Sequence, residues 1–254
     1  MRYYIKLLIV AVVCGIMGTV AHANFVDEAT VSYILGYHSL NGIDTNMAAV
    51  TDIPYAFMVY IFFQIFFGVY IYKHFCTASI YYFSRNTKRT LWYIKQLGQV
   101  MLYCVLYLLI LQLSAILSGI CVTHVVYDVG MWKNLIYYLV IYSLYLFAST
   151  VMINILSIRF NNIVGFVVVE LINAYSWVTF GMVGQYISET RGGNYLTTLI
   201  MRYNIFSYLV FGIQESTMDY VTCILVNLVL AIVVALLGIF VVNKYEFVEN
   251  GKEG

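Results

Sequence analysis

Residues Lys73 to Lys95 read KHFCTASIYYFSRNTKRTLWYIK, a stretch with five of the chain's 13 Lys and Arg residues (Lys73, Arg85, Lys88, Arg89, Lys95) and no acid. Apolar runs long enough to cross a bilayer flank it on both sides. A basic, aromatic segment between two membrane spans faces the cytoplasm, because short loops rich in Lys and Arg are retained there. The orientation of every other segment follows from this one.

Composition agrees with that reading. Of the 254 residues, 63% are hydrophobic and only 10% charged, with mean hydropathy +0.86. A soluble domain carries about 25% charged residues, so the fold class is an all-α, polytopic membrane protein. A single proline, Pro54, and the absence of any Ser/Gly/Pro-rich tract argue against a flexible linker. No polar segment is long enough to build a core of its own. The whole chain, 1–254, reads as one transmembrane domain.

A spanning helix needs about 20 mostly apolar residues. Six windows qualify: about 7–23, 54–72, 97–117, 134–156, 163–186 and 221–242. The first follows Arg2 and Lys6 and ends in Ala21-His22-Ala23, which is also the form of a cleavable signal peptide. Either way, the chain after it is external. Residues 24–53 carry Asp27, Glu28, Asp44 and Asp52 without a basic residue. Within them, VSYILGY (Val31 to Tyr37) suits a short surface helix. The segment 73–96 is the cytoplasmic loop. A second external segment, 187–220, is semi-apolar from Tyr195 to Gly212, and the Arg202 within it disfavours a full crossing. One or two short helices dipping into the outer leaflet fit it better.

With six spans and both termini cytoplasmic, ten basic residues fall inside and three (Lys133, Arg191, Arg202) outside. Eight acids lie outside, three lie in the C-terminal tail, and Glu170 lies within the fifth span. Orientation follows the basic residues, and an odd number of spans would scramble their segregation.

Enzymatic motifs are absent from the sequence. There is no GxxxxGK[ST] phosphate loop, no HExxH and no GxSxG. The five cysteines are scattered without a CxxC pair, and no two of the four histidines have helical ligand spacing. Cys121 and Cys223 both fall near the outer face and could pair, although a buried cysteine is ordinarily just a small apolar residue. Nothing points to nucleic acid.

Two groups of residues remain. Glu170 is an ionisable group inside a span, which is expensive and marks a functional site by default. The alternative is a structural role, a protonated or tyrosine-bonded Glu fastening the fifth helix to a neighbour. Asn173, three residues on, shares its face. The other group is the basic stretch. Tyr81, Tyr82 and Phe83 suit the headgroup level, while Arg85, Lys88, Arg89 and Trp92 recur at three- and four-residue spacing on one helical face. The plain explanation is retention of the loop and binding of anionic membrane lipid. The functional one is a short helix presented to a cytoplasmic partner.

Taken together, these features resemble the membrane subunits of type 2 ABC exporters, in particular the small permeases of bacteriocin or lantibiotic immunity and peptide export. Four features carry the likeness: the six spans with both ends inside, the apolar VSYILGY in the first external segment, and the semi-apolar segment between spans five and six. The fourth is an R-x-x-[KR]-[KR]-x-x-W-x-x-K-like loop, here Arg85, Lys88, Arg89, Trp92 and Lys95. The resemblance implies that 73–96 holds a coupling helix seated in a separate cytoplasmic ABC ATPase. That partner would bind ATP and Mg, so this chain would need no cofactor. It also implies pairing with a second copy or a sister permease, a bacterial cell-membrane location, and export of a peptide or amphipathic small molecule. Members of that family often begin with a helix along the membrane, whereas only six residues precede the first span here. A non-transporting membrane immunity or assembly protein that binds a peptide or protein partner is the other reading.

Overall fold

The computed structural model describes residues 2–23, 28–30, 48–81, 89–126, 131–189, 194–209 and 220–244. Its helices are α1 (Arg2–Ala23), α2 (Ala48–Phe67), α3 (Tyr70–Tyr81), α4 (Arg89–Val122), α5 (Met131–Arg159), α6 (Asn162–Glu189), α7 (Tyr195–Tyr203) and α8 (Tyr220–Lys244). A 3₁₀ turn, Ile205–Tyr208, follows α7. Two short strands, β1 (Glu28–Thr30) and β2 (His124–Val126), complete the described elements.

Among the described residues, five helical stretches are long and apolar enough to cross a membrane: Met58–Thr77, Arg89–Val122, Trp132–Arg159, Asn162–Val183 and Tyr220–Lys244. The apolar part of α1, Tyr3–Thr19, is shorter. The protein is therefore a helical membrane bundle. α5 is its axis, with 72% of its most apolar window buried against 22% for α8. It packs against α3, α4, α6 and α8, while α1 lies along α4 on the far side. The outward faces of α1, α6 and α8 are apolar, with Ile9, Leu171 and Leu237 all about half exposed or more. Such a surface suits lipid rather than water.

Within a bilayer the hydrophobic effect does not drive helices together, so close backbone approach and small polar contacts must do so. The α1–α4 contact is built that way. Ala11, Gly15 and Thr19 recur every four residues and meet Ser114, Ala115 and Ser118. The Thr19 hydroxyl donates to the Ala115 carbonyl at 2.9 Å and accepts from Ser118 Oγ at 2.7 Å. A side chain on Gly15 would overlap the Ser114 hydroxyl and come within 2.7 Å of the Leu111 carbonyl oxygen. β1 and β2 pair in parallel, Glu28 opposite His124. The chain just after α1 is thereby joined side by side with the chain just after α4.

The stretch 73–96, read from the sequence as a loop, is helical in its described parts, 73–81 and 89–96. α3 continues the second span to Tyr81, and α4 begins at Arg89 instead of Leu97, running on to Val122. Helical backbone satisfies itself in water as well as in lipid, so hydropathy marks where a membrane begins and not where a helix does. Cys121, exposed, and Cys223, buried, are not joined by a disulfide.

Replacing Gly15 by leucine is expected to lower stability by about 1–3 kcal/mol through overpacking. Gly98→Ala, at a site where an added side chain meets nothing within 4 Å, should be neutral or stabilising by up to about 1 kcal/mol. Thermal unfolding of the two variants in detergent measures the contrast.

Candidate functional site

At one end of the bundle, α3 and α4 carry the described part of the basic stretch. Tyr81 is the last residue of α3, and Arg89 opens α4. Trp92, half-buried in the first turn of α4, packs its ring 6.1 Å from that of Phe75 on α3. The two helices are thus held together at the base of the basic stretch. Tyr82, Phe83, Arg85 and Lys88 lie outside the described residues. Further in, the Tyr70 hydroxyl donates to Gln99 Oε1 at 3.1 Å, again tying α3 to α4. The start of α4 also meets the end of α8 through Thr90 and Asn243, whose side chains bond at 3.0 Å.

The second group lies between α5 and α6. Glu170 and Asn173 are neighbours on the inward edge of α6. Asn173 is buried, and its Oδ1 accepts the Tyr145 hydroxyl of α5 at 2.7 Å. Both carboxyl oxygens of Glu170 are shielded from solvent, and the Asn173 side chain is the polar group beside them. Tyrosines extend this region: Tyr60 of α2 stacks on Tyr142 at 5.8 Å and meets Tyr145 edge-on at 5.6 Å. On the other side, Phe206 of the 3₁₀ turn is fully buried between Trp177 and Tyr145, at 4.4 and 5.4 Å. Asn204 fixes this insertion, donating to the Ser176 carbonyl at 2.8 Å and to Thr179 Oγ1 at 3.1 Å, both on α6. The described part of the semi-apolar segment is thus a short helix and a turn that push one aromatic side chain into the bundle.

A third feature was not anticipated. The second span is interrupted at Gly68 and Val69, between α2 and α3. Asn154 of α5, completely buried, fills the gap. Its Nδ2 donates to the Gly68 carbonyl at 2.6 Å and its Oδ1 accepts from the Tyr72 N–H at 2.8 Å. One turn away, Gln64 Nε2 donates to Ser149 Oγ at 2.8 Å. Polar side chains therefore run along the face of α5 that meets the second span.

A family model matches residues 7–248, nearly the whole chain. The chain belongs to the DUF2705 family. Its members are described only as proteins of unknown function. Comparison with curated proteins and with solved structures returns no match.

In this DUF2705 chain the sequence-derived residues thus fall into two groups on different elements, α3–α4 and α5–α6. Among the described residues, no three His, Cys, Asp or Glu side chains gather where they could hold a metal ion. The signal for Asn154 was present in outline: Ser149, Thr150, Asn154 and Ser157 are polar at three-, four- and five-residue spacing in a span that could have been wholly apolar. Polar residues inside a span commonly bridge helices.

Glu170→Gln keeps the shape of the side chain and removes the charge. Because glutamine keeps an acceptor oxygen beside Asn173 while shedding a buried charge, thermal unfolding of that variant in detergent should show stability unchanged or higher by about 1 kcal/mol. A large loss would mark Glu170 as a structural anchor.

Proposed function

We propose that this chain is the membrane-spanning subunit of an ATP-driven exporter, crossing the cell membrane six times with both termini in the cytoplasm. A separate ATPase, which holds ATP and Mg, docks on the basic stretch. The observation that supports this reading best is the Phe75–Trp92 contact. It locks the two helices that flank the basic stretch into one unit. α4 then continues unbroken to Val122, and α3 is tied to the central helix by Asn154. A push on a tip built this way moves whole spans as rigid bodies. A tip meant only to retain a loop would not need that stiffness.

Arg85, Lys88 and Arg89 would pair with acids in the ATPase groove and set orientation more than affinity. Tyr81, Tyr82 and Phe83 would anchor the tip at the headgroup level. The transported molecule would be a peptide or amphipathic small molecule, carried between this chain and a second copy or a sister permease. Within that path Glu170 and Asn173 supply polarity at membrane depth, and Glu170→Gln is expected to lower export.

The test is co-purification from the native membrane. The intact chain should retain an ATPase, and reversing Arg85, Lys88 and Arg89 to glutamate should reduce the retained amount at least tenfold and abolish export while the bundle stays folded. Failure to retain an ATPase, with no effect of the charge reversals, would overturn the proposal. The chain would then be a non-transporting membrane protein, of the immunity or assembly kind.

A further inference from the structure

In an uninterrupted helix the Gly68 carbonyl would accept the Tyr72 N–H, four residues on. Here the Asn154 amide is inserted into that rung, within a break in the ladder at Gly68 and Val69. Its Nδ2 bonds the Gly68 oxygen at 2.6 Å and its Oδ1 bonds the Tyr72 nitrogen at 2.8 Å. The regular ladder stops at the Gly68 N–H, which reaches the Gln64 carbonyl at 2.6 Å, and resumes at the Lys73 N–H, which reaches the Val69 carbonyl at 3.0 Å. A side chain inserted into the ladder is one of the few recognised causes of a helix kink.

If Asn154 withdraws, the span can close this rung by itself. The released amide then needs one acceptor and one donor. Both are present one turn away. Gln64 Oε1 and Thr150 Oγ1 are buried, in residues 1% and 0% exposed, and neither has a hydrogen-bond partner among the described residues. Gln64 lies one turn before Gly68, and Thr150 one turn before Asn154 on α5. Unpartnered polar atoms at that depth are costly, and an alternative position for the amide accounts for both. Asn154 Nδ2 already donates to the Thr150 carbonyl at 2.7 Å, a bond that can be kept throughout.

We propose that the Gly68–Asn154 junction is a two-position latch: Asn154 either bridges the broken rung and bends the second span, or releases it to Gln64 and Thr150 and lets the span straighten. Gly68 belongs to the bent position, since a side chain there would overlap the Gln64 carbonyl oxygen. Because α3 carries the basic stretch, the latch sets the angle at which that stretch is presented. The latch does not depend on the exporter reading and would operate in a chain that meets no ATPase.

Opposite substitutions test it. Spin labels on the exposed native Cys76, beyond the break, and on a cysteine replacing the exposed Phe160 at the end of α5 report the position of α3. The other exposed native thiol, Cys121, is changed to serine. A tilt of 20–30° at Gly68 acts on an arm of about 10 Å and should displace the label by about 3–5 Å. In the full chain in lipid nanodiscs, the wild type should show two distances. Gly68→Ala should move the population to the straight position. Thr150→Val, which leaves every bond of the bent position intact, should move it to the bent one. Asn154→Val should agree with Gly68→Ala. If it does not fold, the other two variants decide. One wild-type distance that neither Gly68→Ala nor Thr150→Val moves would overturn the latch. An ATPase that binds yet leaves the two populations unchanged would separate the latch from transport without removing either.

Discussion

A peptide N–H or C=O in hydrocarbon has no water to turn to, so every backbone group in a span must find a partner within the protein. At the break in the second span, one side chain from the central helix meets that requirement for one C=O and one N–H. The Asn154 amide takes both the Gly68 carbonyl and the Tyr72 N–H. The position of α3 relative to α2 depends on it, and so does the attachment of α3 to α5. The same requirement governs the other seams. Thr19 and Ser118 bind α1 to α4, Tyr107 donates to the Val59 carbonyl at 2.8 Å between α4 and α2, and Asn204 holds the external turn on α6.

The membrane class and the approximate places of the helices were legible because hydropathy and Lys/Arg segregation are sums over many residues. A single odd residue barely alters such a sum. The break at Gly68 was not legible for the converse reason: one glycine in FFQIFFGVYIY and one asparagine 86 positions away carry no signal until the fold brings them together. The extent of α4 was missed because Arg89 to Gln96 is polar enough to read as loop, although nothing in it opposes a helix. Glu170 and Asn173 could be found as polar residues within a span. That Tyr145 would be the one tyrosine of 25 to reach Asn173 could not be read from the chain.

A functional picture follows from how these parts connect. The basic stretch sits at the tip of two helices clamped by Phe75 and Trp92. One of them continues unbroken to Val122; the other is interrupted at Gly68, where Asn154 bridges one rung. The 3₁₀ turn inserts Phe206 against Trp177 and Tyr145, next to the helix that carries Glu170 and Asn173. The basic stretch, through α3, and the 3₁₀ turn, through Tyr145, both reach α5, which is the reason to expect the two regions to be coupled through that helix.

All of this rests on which side of the membrane the basic stretch faces. Single cysteines in place of Lys88 and of Lys133, in a chain whose five native cysteines are serines, can be labelled in intact cells with a membrane-impermeant maleimide. The account predicts labelling at position 133 in intact cells, and at position 88 only after the membrane is permeabilised. Labelling at position 88 in intact cells, with position 133 protected, would contradict it.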